Sequence, residues 1–179
     1  MKAWNFALMF SALLAAAPAA AIQLDLPRYM GAWHEIAHIP NFAQKGCTDT
    51  IVHYRLNDRG GFDLANTCWK GDTYKPYFGK ATPVPGPEPL FKVKFFLFFK
   101  ADYWIVDLDP DYQWALVGTP KRDQLWVISR GPTLDPAIYD QMLKVARSKG
   151  FDTDKLARTT ITGRRSRGFD KWKTKKPSF

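Results

Sequence analysis

Leu90-Phe91-Lys92-Val93-Lys94-Phe95-Phe96 carries the clearest periodicity in the chain. Successive side chains of a strand point to opposite faces, so Phe91, Val93 and Phe95 fall on one side and Lys92 and Lys94 on the other. A helix would scatter the same residues around its circumference. The stretch therefore reads as a strand with three apolar side chains inward and its lysines in water. Pro83, Pro85, Gly86, Pro87 and Pro89 precede it, a cluster that separates it from the strand before.

Working outward from 90–96, the same reading places strands at 33–39, 49–56, 62–69 and 77–83, and at 102–108, 112–118 and 124–130. In 49–56, Val52, Tyr54 and Leu56 alternate with His53 and Arg55, which predicts that the first three face inward. Along 102–108 both faces are apolar, and Tyr103 with Ile105 competes with Trp104 and Val106 for the interior. Asn57-Asp58-Arg59-Gly60-Gly61, Asp109-Pro110-Asp111 and Pro120-Lys121-Arg122-Asp123 are turns. One helix follows the strands, capped by Asp135, opened by Pro136 and ended by Gly150, and residues 155–161 form an extended piece that can pair back onto the sheet. Eight short strands and one helix indicate an antiparallel barrel or sandwich, between which the pattern does not choose.

The totals fit a single domain. Of 179 residues 46% are hydrophobic and 15% aromatic, too apolar for a disordered chain. The net charge is +9, but Arg164, Arg165, Arg167, Lys171, Lys173, Lys175 and Lys176 supply most of it against Asp170. The basic character belongs to a tail, 164–179, and the body is nearly balanced.

Residues 1–21 read as a signal peptide: Lys2, then an apolar run over 6–17, then Ala19-Ala20-Ala21. The alternative, an anchoring helix, is disfavoured because the run is short for a bilayer. Export predicts a disulfide between Cys47 and Cys68, closing a loop worth about 3 kcal/mol in the chain-entropy model. A lipoprotein carries a cysteine just after the cut. The first here is Cys47, so a periplasmic or secreted protein is expected, peripheral at most to the outer membrane, and not a lipoprotein.

Enzyme motifs are missing from the sequence: no Gly-x-Ser-x-Gly, no His-Glu-x-x-His and no phosphate-binding glycine loop. His34 and His38 share a face if the strand is regular, but lie about 13 Å apart, too far for one ion. No catalytic residue, metal or cofactor is therefore expected.

Three segments resemble the lipocalin signatures. Tyr29-Met30-Gly31-Ala32-Trp33-His34-Glu35-Ile36-Ala37 is similar to the Gly-x-Trp motif, Asp107-Leu108-Asp109-Pro110-Asp111-Tyr112 to the acidic turn with its Tyr, and Leu125-Trp126-Val127-Ile128-Ser129-Arg130 to the terminal Arg motif. The resemblance runs from Leu26 to Ile161 and is nearest to bacterial and apolipoprotein-D-like lipocalins. It implies an all-β fold, an eight-stranded antiparallel up-and-down barrel over 22–163 with one helix packed outside. Gly31, Trp33, Tyr112 and Arg130 would be the fold signature, with Trp33 plugging the closed end beneath the Arg130 guanidinium.

The resemblance further implies a small hydrophobic ligand, a fatty acid or lysophospholipid, bound and carried without being transformed. Trp126 is the first expected pocket residue, joined by Ile128, Phe91, Val93, Phe95, Val52, Tyr54 and Tyr103. Glu35 is a further polar candidate, and Lys100 is expected at the mouth, where it would meet a carboxylate or phosphate. The other reading of these residues is a barrel filled solid by side chains. The tail would then carry the function: its cations, interleaved with Phe169 and Trp172, suit an anionic membrane surface, and export argues against nucleic acid.

Overall fold

A computed structural model describes residues 22–95 and 99–165. The expected signal peptide, Phe96 at the end of the patterned strand, and the tail from 166 onward lie outside the described residues.

Eight antiparallel strands close on themselves: β1 (Gly31–His38), β2 (Cys47–Leu56), β3 (Phe62–Lys70), β4 (Thr73–Pro83), β5 (Leu90–Lys94), β6 (Lys100–Leu108), β7 (Trp114–Gly118) and β8 (Leu125–Ser129). Each pairs with its sequence neighbour, and β1 pairs with β2 along one half and with β8 along the other, so the sheet has no break between first and last strand. This is an up-and-down barrel and not a sandwich. A short strand β9 (Ala157–Arg158) adds to the far end of β1, as the extended piece at 155–161 suggested.

Closure depends on an irregularity in β1. The β1–β8 register runs His34↔Ser129 and Glu35↔Ile128, then shifts so that Ala37 meets Val127 and His38 meets Trp126. The bulge resets the inside–outside alternation. His34 therefore stays outside while His38 comes round to the inner side with Glu35, its Nδ1 3.0 Å from the Glu35 carboxylate. The expectation that the two histidines share a face is corrected, because it assumed an unbroken ladder.

Two apolar layers result. The inner one includes Tyr29, Trp33, Tyr54, Phe62, Phe91, Val93, Ile105 and Ile128. The outer one, with Trp104, Val106, Leu116 and Val127, lies beneath helix α2 (Pro136–Ser148), whose Tyr139, Met142 and Ala146 are buried. The choice on β6 falls to Tyr103 and Ile105 inside, with Trp104 and Val106 under the helix. Asp135 caps α2 by accepting from the Ala137 amide, Phe151 after its end packs where Gly118 has no side chain, and the Arg158 guanidinium lies 3.4 Å from the centre of the Tyr139 ring.

A four-residue helix before β1, Leu26–Tyr29, was not anticipated, although Asp25 followed by Pro27 is a cap signal. It lays Tyr29 across the base of the barrel. Leu56 is a second correction. It shares a face with Phe62, its register partner, but lies beyond the aromatic layer and remains 46% exposed. The disulfide joins Cys47 to Cys68, tying the start of β2 to β3.

Candidate ligand-binding site

The closed end is held by Arg130. Its guanidinium lies 3.8 Å from the centre of the Trp33 ring and donates to three carbonyls, those of Arg28 (2.7 Å), Ala32 (3.0 Å) and Tyr112 (3.1 Å). One side chain thus fastens the N-terminal helix, β1 and the β6–β7 turn. Trp33 Nε1 donates to the Tyr29 carbonyl (2.8 Å), and the Tyr112 hydroxyl accepts from the Asp25 amide (2.7 Å). Tyr112 has φ of 60°, a left-handed conformation forced on a non-glycine residue, which its carbonyl bond to Arg130 helps hold. Gly31 next to the clamp also has positive φ, and a Cβ there would meet the Arg130 guanidinium at 3.2 Å.

Above this plug the interior fills with rings. Tyr29 stacks on Tyr54 (5.4 Å between centroids), Phe62 meets Tyr54 edge-on (5.0 Å), and Phe91 lies 4.9 Å from Phe62. The layer ends in three hydroxyls: Tyr103 OH is 2.6 Å from Tyr29 OH and 2.7 Å from Tyr54 OH. Burial raises the pKa of all three phenols, so each keeps its proton at neutral pH and is able to donate or to accept.

On that floor sits a cavity of about 90 Å³. Val52, Leu64, Val93, Phe95, Val117 and Trp126 are its apolar walls, Tyr54 and Tyr103 its polar floor, and Glu35, Thr50, Asn66 and Asp102 its other polar groups. The buried Glu35 carboxylate accepts from Thr159 Oγ1 (2.7 Å) and from the Gln44 side-chain amide. Gln44 in turn accepts at its Oε1 from Trp126 Nε1 (2.8 Å) and from Asn41 Nδ2 (2.6 Å). The β1–β2 connection is thereby pinned to the cavity wall at Gln44.

Of the residues singled out from the sequence, Val52, Tyr54, Val93, Phe95, Tyr103 and Trp126 come together around this cavity. Phe91 and Ile128 face the same interior but lie in the packed layer below it. Lys100 is not at the cavity. It is exposed and is the register partner of Lys94, on the face opposite to Ala101 and Tyr103, because alternation along β6 sends neighbours opposite ways. Leu64 and Val117 were missed, although Phe62-x-Leu64-x-Asn66 and Ala115-x-Val117 alternate in the same manner. Nothing in the sequence marks Gln44, whose role arises from the path of a loop.

Residues 24–161 match the Lipocalin-like domain family. The chain belongs to the lipocalins. It is 36% identical over 152 residues to temperature-induced lipocalin-1 of Arabidopsis thaliana, covering 76% of this chain and 78% of the relative. It is 37% identical over 139 residues to outer membrane lipoprotein Blc of Escherichia coli, covering 74% and 76%. Lobster apocrustacyanin superposes with a TM-score of 0.66 over 84% of this chain and 86% of its own, at 19% identity, a likeness of fold alone. Lipocalins bind small hydrophobic ligands and are in general not enzymes, so the cup above the tyrosine floor is this lipocalin's candidate binding site.

Proposed function

We propose that this lipocalin holds and carries a single-chain amphiphile, acyl end down, without transforming it. The observation that carries the reading is the cavity itself: aliphatic and aromatic walls closing on a floor of protonated phenols, with Trp126 at one side. Small-molecule sites combine mostly apolar walls with a few placed polar groups in this way. The polar set also orders the candidates. Among the described residues no Lys or Arg lines the cavity, whereas Glu35 and Asp102 do, so a free carboxylate inside would meet like charges. A lysophospholipid, with its phosphate outside at the rim, fits better than a fatty acid.

The cavity of about 90 Å³ is smaller than the roughly 300–1,000 Å³ of pockets that enclose whole drug-sized ligands. It receives the end of an acyl chain, and admission of more requires Gln44 to leave Glu35 and Trp126. The disulfide favours an oxidising compartment, which fits a periplasmic or secreted carrier. One relative is named an outer membrane lipoprotein. Here Cys47, the first cysteine of the sequence, is committed to Cys68 and is not free to bear a lipid.

The test is a tryptophan-fluorescence titration of delipidated protein with lysophosphatidylcholine and with palmitate, using Val93→Trp as the filled-cavity control. Saturable one-to-one quenching, tighter for the lysolipid and abolished by V93W, is expected. Equal response of wild type and V93W would place the lipid elsewhere.

A further inference from the structure

We propose that the open end of the barrel docks on an anionic lipid bilayer, with Phe42 and Phe99 entering the interface and a basic collar meeting the head groups. The proposal goes beyond ligand binding: it concerns where the cup meets its source.

The first observation is exposure of large apolar side chains at the cavity mouth. Phe42 on the β1–β2 connection is 95% exposed and Phe99 before β6 is 63% exposed. Scattered surface aromatics mean little alone, but these two flank one opening. Phe99 packs on Phe95 (5.9 Å between centroids), and Phe95 lines the cavity. Phe42 lies two residues from Gln44, which is bonded to Glu35 and Trp126 of the same cavity. Two large apolar side chains therefore stand outside the rim of one opening, neither of them lining the cavity.

The second observation is charge. Lys94 and Lys100, at either end of the β5–β6 connection, are direct register partners. Like charges directly opposite on a sheet destabilise it, and an anionic surface relieves that repulsion. The open-end loops and strand ends carry Lys45, Lys70, Lys94, Lys100, Lys121 and Arg122 against Asp72 and Asp123. The turns and flanking segments at the opposite end carry Asp25, Asp58, Glu88, Asp109 and Asp111 against Arg28, Arg59 and Arg130. The barrel thus has a positive mouth and a negative base, an orientation that an anionic bilayer selects.

The third observation is the path of residues 162–164. Asp49 accepts from the amides of Thr162 (2.6 Å) and Gly163 (2.9 Å), and Arg164 donates to the Gly71 carbonyl and to Asp72 in the β3–β4 turn. Residues 162–164 are thereby held at the open end.

The experiment is sedimentation of the full mature chain with vesicles of phosphatidylcholine and phosphatidylglycerol in equal parts, and with phosphatidylcholine alone. Three variants accompany it: F42S/F99S, K94E/K100E, and a truncation after Arg165. Salt-sensitive binding to the anionic vesicles is expected. F42S/F99S should weaken it at least about tenfold, in keeping with loss of aromatic transfer from water. K94E/K100E should weaken it by a similar factor, and the truncated chain should still bind and still respond to F42S/F99S. Both phenylalanines are exposed, so thermal stability should hold. Lysolipid titration of F42S/F99S in vesicle-free solution should match wild type, which separates failure of docking from failure of the cup. Equal vesicle binding by wild type and F42S/F99S, no binding to either vesicle, or complete loss on truncation would each overturn the proposal, the last by assigning the membrane contact to the tail.

Discussion

Replacing Arg130 by Ala removes the one side chain that joins three segments at the barrel base. The guanidinium over Trp33 is worth roughly 0.5–2 kcal/mol at a partly buried site. Its three bonds to carbonyls are charge-assisted, but water can reach the freed oxygens at this end, so about 0.5–1 kcal/mol each is the appropriate scale. Together these give about 3 kcal/mol. At about 2–4 °C per kcal/mol for a domain of this size, R130A should lower Tm by about 6–12 °C. Arg130→Lys keeps a charge near the indole but loses the planar fork, and should recover less than half of that. Differential scanning calorimetry of the three proteins, with a Trp33→Phe cycle, reads both totals and coupling. A Tm within about 2 °C of wild type for R130A, or R130K equal to wild type, would refute the clamp.

Further predictions address other parts of the fold and site. Reduction of the Cys47–Cys68 bridge, or Cys47→Ser with Cys68→Ser, should cost about 3 kcal/mol in urea unfolding through the freed denatured chain. His53, buried on β2 near His34, has its pKa lowered by desolvation and by that neighbour to about 4. The unfolded chain then binds the extra proton between about pH 6.5 and 4, so stability should fall as pH drops through that window, by about 3 kcal/mol at pH 4. His53→Gln should flatten the curve, as followed by urea midpoints across the window. Gln44→Ala should free the cavity mouth and speed lysolipid association in stopped-flow fluorescence by several-fold. An unchanged rate would mean that Gln44 does not gate entry.

The legible parts of this fold were those governed by local chemistry. Phe91-x-Val93 against Lys92 and Lys94 gives a face directly, because a lysine cannot be packed where a valine can. The Pro and Gly clusters gave turns, and Asp135-Pro136 gave the helix start. The clamp of Arg130 over Trp33 was expected from the resemblance to the lipocalin signatures and not from local chemistry. The parts that did not read through depend on distance across the barrel. Alternation sends Leu56 and Val52 to one face but does not tell that Phe62 and Tyr29 seal the interior short of Leu56. It cannot anticipate the β1 bulge, which turned His38 inward. Lys100 was placed at the mouth by its position in sequence and lies at that rim, but it points away from the cavity, because its neighbours Ala101 and Tyr103 take the inner face. Cavity size was equally hidden, because it follows from how far Tyr29, Tyr54 and Tyr103 reach toward one another. Gln44 comes from a loop, where no periodicity constrains the side chain.

The most direct test of the central claim is native mass spectrometry of the protein expressed from residue 22, first as purified and then after delipidation and exposure to equimolar lysophosphatidylcholine. Binding in the cup predicts one lipid per chain, retained under gentle activation and absent in Val93→Trp. A wild-type spectrum showing only the bare chain, or an adduct that V93W keeps in full, would contradict the account.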